Sequence, residues 1–334
     1  MHPKIKQVLQ VAFSLGIALW IFWFLYRDIE LAQLQAQLAS SNWFWILLSL
    51  GIAWIGFWLR GWRWALLIRN EADQAPVNAN RAYHALMVGY LVNLLIPRAG
   101  EVARCTVLTR NNGIPLGQAI GTVLVERSVD LLFMVGTILI AFLLENQLFI
   151  SLAGQLVNLS ALRSSLLDKL PLLLGGAAVL FLFLYLVSRK YRNHGLVNKL
   201  QLFFRQLLSG VRSISHLKNP LGFWISSAII WIIYFLTLYT VSQGIESAAN
   251  LSGSQVLLVM VMGTIGMIAP VQGGIGTFHA LVAYILVVFG VPEADGKIFA
   301  AITHGSQMLL IVCAGLLSWI LMLKIPAWKK PFVS

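Results

Sequence analysis

The residues of this chain that could do chemistry fall into three groups, each set at the edge of an apolar run. The first is Asn93, Pro97, Arg98, Gly100, Glu101 and Arg104. A proline ends the hydrogen-bonded turn before it, and a glycine lets the chain reverse, so a new helix can begin near Glu101. Free amides at a helix start beside two guanidinium forks suit an anion such as phosphate. A lipid headgroup or pyrophosphate would fit. The plainer alternative is interfacial anchoring, with Glu101 pairing Arg104 at helical spacing.

The second group is Glu126, Arg127 and Asp130. Four-residue spacing puts the two carboxylates on one helical face, with Arg127 in the same arc. Charges inside hydrocarbon cost about 2.5–3.5 kcal/mol each on insertion scales and face an interior partner. The trio reads either as a self-satisfied structural triad or as a polar gate. Its helix pattern begins near Pro115, which leaves its depth open. The third group is Gln272, Gly273, Gly274, Gly276 and His279, a glycine-rich turn leading into a helix. It is not a dinucleotide fingerprint, because no strand precedes it. His304 and Gln307 share a face of the last apolar run and could extend a polar path. Hydrogen-bonded packing is the alternative for both histidines.

The elements that must hold these groups are membrane helices. Hydrophobic residues make up 59% of 334 and charged residues 11%, with a mean hydropathy of +0.81. That excludes an ordinary soluble domain. Apolar runs at 8–26, 43–59, 125–144, 170–187, 221–241 and 298–323 each reach the length of a helical crossing. None alternates as a barrel strand would. The first run is longer than a signal-peptide core and reads as a retained span. Two further runs, 82–96 and 256–269, are short and stop at Pro97 and Pro270. The expected fold is therefore an all-α polytopic membrane protein: about six full spans plus two broken or re-entrant hairpins, in one domain over 1–334.

The net charge of +12 would suggest nucleic acid in a soluble chain; here cytoplasmic loops explain it. With both termini inside and 82–96 re-entrant, nineteen of the 24 basic residues fall on the inner side. That count includes a loop over 60–81. A full crossing at 82–96 would instead push the basic stretch 189–219 outside. The same parity gives an inverted repeat, about 1–145 and about 165–325, each half holding one interrupted segment. Leu196, Leu200, Phe203, Leu207, Val211 and Ile214 share a face, predicting an amphipathic helix about 193–218 on the anionic inner leaflet. The stretch 29–41 reads as a weaker counterpart on the other surface. Cys105 and Cys313 belong to no redox or metal spacing, the histidines show no ligand spacing, and no cofactor is expected.

The stretch Asn93-Leu94-Leu95-Ile96-Pro97-Arg98-Ala99-Gly100-Glu101-Val102-Ala103-Arg104 resembles the flippase-like transmembrane region of lysylphosphatidylglycerol synthases. So do Glu126-Arg127-x-x-Asp130 and the turn Pro270…Gly273-Gly274-Ile275-Gly276. The likeness spans roughly 8–323. It implies a lipid translocator of the plasma membrane, with an aminoacylated phospholipid or a polyprenyl-linked sugar as cargo. Full synthases add a soluble transferase domain, for which this chain has no room before Ser334. Family members often carry an acid where His279 stands.

Three function classes follow. A flippase- or scramblase-like translocator would use Asn93, Arg98, Gly100, Glu101 and Arg104 for the headgroup, and Glu126, Arg127 and Asp130 as gate. A membrane transferase acting on lipid-linked substrates, by glycosyl or aminoacyl transfer, would need a donor site, and no Asp-x-Asp occurs. A scaffold would leave the interior charges without a task. Membrane lipids are the expected partners, not nucleic acid. The lipid, the direction of transport and the oligomeric state are not encoded legibly.

Overall fold

The computed structural model describes residues 38–68, 76–96, 98–148, 214–269 and 271–328, together with Arg212 and isolated positions before residue 38. Pro97, Pro270, the predicted span at 170–187, and most of the predicted stretches 8–26, 29–41 and about 193–218 lie outside the described residues.

Among the described residues every regular element is helical. The α-helices are α1 (Trp43–Leu67), α2 (Ala79–Leu95), α3 (Gly100–Asn112), α4 (Leu116–Leu144), α5 (Pro220–Gly244), α6 (Gly253–Ile268), α7 (Thr277–Val288) and α8 (Glu293–Lys324). Four of them, α1, α4, α5 and α8, are long and apolar enough to cross a membrane. Their lengths run 25, 17, 13 and 29 residues over α1–α4. Over α5–α8 they run 25, 16, 12 and 32. The order long, short, short, long thus occurs twice.

Local chemistry sets the helix starts. Asn42, Asn78 and Asn219 each accept a first-turn amide through the side chain, opening α1, α2 and α5. Ser252 and Gln255 form a reciprocal capping box at α6. Pro115 precedes α4, as the pattern predicted.

One boundary corrects the sequence reading. The segment from residue 60 was expected to be a cytoplasmic loop, but α1 continues to Leu67, and Arg60 and Arg63 are buried on it. They face carboxylates across the bundle, so they are interior charges and do not belong in a count of loop charges.

α1 and α5 run antiparallel and make the broadest interface. Asn42 N–H donates to the Gly244 carbonyl at one end, and Arg63 reaches Ser227 nearer the other. One apolar cluster joins the end of α1, the start of α4, the start of α5 and Met322 of α8. A second joins the end of α5, the start of α6, the end of α7 and Phe299 of α8.

The short helices pair as two hairpins that open at opposite ends of the bundle. The α2–α3 hairpin opens beside the first cluster, where Asn112 Nδ2 donates to the Pro76 carbonyl at 3.2 Å. The α6–α7 hairpin opens beside the second. Their tips meet: a Cβ built on Gly273 would lie 3.5 Å from Leu94 Cδ2. Glycine lets each hairpin close. A Cβ on Gly89 would sit 2.6 Å from the Gly100 carbonyl oxygen, and one on Gly266 would sit 2.7 Å from Phe278 Cα.

Candidate functional site

Where α1, α3 and α4 meet, guanidinium groups ring one carboxylate. Glu126 of α4 is fully buried. Its Oε1 lies 3.0 Å from Arg60 Nη2 and 3.3 Å from Arg63 Nη2, both from α1. Its Oε2 lies 3.0 Å from Arg104 Nη1 of α3. One turn on, Asp130 takes Arg63 Nη2 at 2.8 Å and stands 3.5 Å from Arg60 Nη2. Four-residue spacing on α4 is what lets both acids face α1.

Neutral groups complete the ring. Arg60 Nη1 donates to the Tyr234 hydroxyl at 2.6 Å, and Arg63 Nη1 donates to Ser227 Oγ at 3.1 Å. Each buried guanidinium also sits near an aromatic face: Arg60 near Tyr90, Arg63 near Phe223, Arg104 near Trp64 at 4.5 Å. Trp64 is fixed by donating its indole N–H to Thr122 Oγ1 at 2.9 Å.

The rim is more open. Arg127 and Glu101, with side chains 41% and 45% exposed, pair at 2.8 Å, and Arg127 Nη1 reaches Asp130 at 3.4 Å. Two expectations change here. Glu101 does not pair with Arg104; burial of Arg104 against α4 gives that guanidinium to Glu126 instead. Nor are Glu126, Arg127 and Asp130 self-sufficient, since Glu126 is held mainly by three arginines from other helices.

Among the described residues, charge does not balance inside the ring. Three enclosed arginines, Arg60, Arg63 and Arg104, face two carboxylates, Glu126 and Asp130, while Arg127 and Glu101 cancel at the rim. Arg60 Nε, Arg63 Nε, Arg104 Nη2 and the Tyr90 hydroxyl are buried without a hydrogen-bond partner among the described residues. A surplus cation with spare donors, out of bulk water, is an arrangement that an incoming anion completes.

The other predicted residues are placed as follows. Asn93 Oδ1 accepts the Gly100 amide at 2.7 Å, so these two lock the α2–α3 turn. Arg98 is exposed at that tip and adopts a left-handed backbone, φ 63°, a conformation costing a non-glycine residue roughly 1–3 kcal/mol. On the second hairpin, Gly276 N–H donates to His279 Nδ1 at 3.3 Å. His279 and His304 are brought together, ring centroids 4.9 Å apart, with Phe278 stacked on His304. His304 Nδ1 and Gln307 Nε2 are buried without hydrogen-bond partners among the described residues. Gly273 and Gly274 form the tip, both at positive φ; Gln272 belongs to the same turn.

Arg60 and Arg63 escaped the sequence reading. The signal was present: two arginines one turn apart, flanked by Trp58, Trp62 and Trp64, in a run that never loses helical spacing.

The family described as the lysylphosphatidylglycerol synthase transmembrane region matches residues 8–315. The chain belongs to that family. A UPF0104 membrane protein of Methanothermobacter thermautotrophicus is 25% identical over 261 residues, covering 70% of each chain. No solved structure matches. Membership together with the four long apolar helices makes this a multi-pass membrane protein of a lysylphosphatidylglycerol-synthase-like kind, in keeping with a lipid-related role.

Proposed function

We propose that this protein translocates a lipid with an anionic or lipid-linked headgroup across the inner (plasma) membrane, as a flippase or scramblase. Phospholipid and polyprenyl-linked cargo share the phosphate that the site would recognise. The observation that carries the proposal is the surplus positive charge around Glu126, with unpartnered N–H donors on Arg60, Arg63 and Arg104.

In this scheme both termini are cytoplasmic and the halves, about 1–145 and 165–325, form an inverted repeat. The two hairpins dip into the bilayer from opposite faces, and the helix about 193–218 rests on the inner leaflet. Arg98, exposed at one tip, makes first contact with the headgroup. Arg104, Arg60 and Arg63, themselves held in place by Glu126 and Asp130, then receive the phosphate. The Arg127–Glu101 pair is the gate, because it is the half-exposed link between hairpin and α4. Asn93 and Gly100 keep the turn closed. Gln272, Gly273, Gly274, Gly276, His279, His304 and Gln307 shape the far half of the path.

The test uses purified protein in vesicles carrying headgroup-labelled phosphatidylglycerol, with a quencher outside. Wild type should expose inner-leaflet label. Arg98→Ala and Glu101→Ala should each fall below a tenth of that rate while eluting as folded protein. Undiminished translocation by both variants removes the proposal.

A further inference from the structure

A cavity of about 620 Å³ lies between α2, α3 and α8, apart from the arginine ring. Its floor is one stripe of α3: Ala99, Val102, Ala103, Thr106, Val107 and Arg110, at successive three- and four-residue spacings. The opposite face of that helix carries Arg104, Cys105 and Leu108 into the bundle. One helix therefore presents a charged face inward and a nearly apolar track outward. From α8, Trp319, Met322 and Leu323 form the other wall.

The track has polarity. The twelve residues from Ala99 to Arg110, eleven steps apart end to end, span about 16 Å at about 1.5 Å per residue. The Ala99 end is the hairpin tip, where α2 and α6–α7 meet. The Arg110 end is the open end of the hairpin, where Asn111 Nδ2 donates to the Met322 carbonyl of α8 at 3.1 Å. Trp328 N–H is fixed there by the Arg110 carbonyl at 2.8 Å. The Arg110 side chain is exposed and, among the described residues, makes one long contact, to Asn111 Oδ1 at 3.4 Å.

We infer that this cavity is a binding site for an anionic phospholipid. One acyl chain lies along the α3 stripe, pointing to the hairpin tip, and the phosphate rests on Arg110. Charge complementarity selects the occupant: away from one end the walls are apolar but for Thr106, whose hydroxyl donates to the Val102 carbonyl, and that end carries a guanidinium able to grip a phosphate by its fork. A lipid standing in a leaflet has the same order, charged at the surface and apolar inward. The inference builds on the translocator proposal only in the role it gives the bound lipid. The site would sit one helix face away from the arginine ring, as the waiting position of a cargo molecule.

The experiment measures lipid retained per chain after gel filtration of detergent-purified protein, with labelled phosphatidylglycerol or phosphatidylcholine as probe. Wild type should keep about one phosphatidylglycerol and at least tenfold less phosphatidylcholine. Ala103→Trp, which fills the track, and Arg110→Glu, which reverses its charged end, should each cut retention at least fivefold. Leu124→Trp, on an outward face of α4, should leave retention unchanged. Arg110 is exposed, so its variant tests the site even if Ala103→Trp fails to fold. Equal retention of the two lipids, or wild-type retention by Arg110→Glu, overturns the inference. The vesicle assay run in parallel separates the two proposals. Selective retention without translocation leaves the site standing and fells the translocator; translocation with unselective retention does the reverse.

Discussion

Arg104 Nη1 and Glu126 Oε2 meet at 3.0 Å with side chains 2% and 0% exposed, and that one pair ties the α2–α3 hairpin to the long helix α4. Glu126 is at once the counter-charge for the hairpin and for α1. A single carboxylate therefore sets how three helices stand relative to one another. Breaking a buried pair from one side leaves a charge without its partner, at a cost of about 3–5 kcal/mol.

Glu126→Gln should thus destabilise the fold by about 3–5 kcal/mol, read as a large drop in detergent melting temperature. The comparison is Glu293→Gln. Its partner Lys297, 12% exposed, lies 2.7 Å away, but Glu293 itself is 70% exposed, and a pair whose acid stands in water is worth only about 0–1 kcal/mol. Equal melting shifts for the two variants would show that the ring does not hold the bundle.

Gly100→Ala should separate the hairpin arms, because the new methyl would collide with the Gly89 carbonyl oxygen and with Asn93 Cγ at 2.6 Å. Overpacking of this kind costs about 1–3 kcal/mol. Gly121→Ala, in α4 with nothing within 4 Å of the added carbon, should be neutral or gain up to about 1 kcal/mol from helix propensity. Thermal melts of the two variants in one detergent check the contrast. A Gly100→Ala protein as stable as wild type would mean the arms are not in contact.

Arg98→Gly should move stability and transport in opposite directions. Glycine accepts the left-handed backbone that Arg98 holds at φ 63°, so melting should rise by the equivalent of about 1 kcal/mol or more. Loss of the exposed guanidinium should at the same time lower translocation in the vesicle assay. A variant that melts lower would show that the arginine side chain anchors the tip.

The class of the protein was legible in composition and run length, because hydrocarbon forces the backbone to satisfy itself within each helix. Runs of the right length predicted α5 and α8 closely and the end of α4, whose start lies nine residues before the run at 125–144, and the shortness of 82–96 and 256–269 anticipated α2 and α6. Glu126 and Asp130 were visible as a face by their spacing alone. The end of α1 was not. Arginine at the edge of an apolar run is the ordinary mark of a loop, and only a facing carboxylate makes it an interior residue.

Sequence by itself determined that this chain is a helical membrane protein with two interrupted segments and a set of interior charges, since hydropathy and spacing are local properties. Tertiary structure alone decided which charge meets which. Arg104 lies three residues from Glu101 and 22 from Glu126, yet it pairs with the distant acid. Helix packing turns one face of α3 onto α4, and a buried guanidinium takes the partner that packing brings, whatever the separation along the chain.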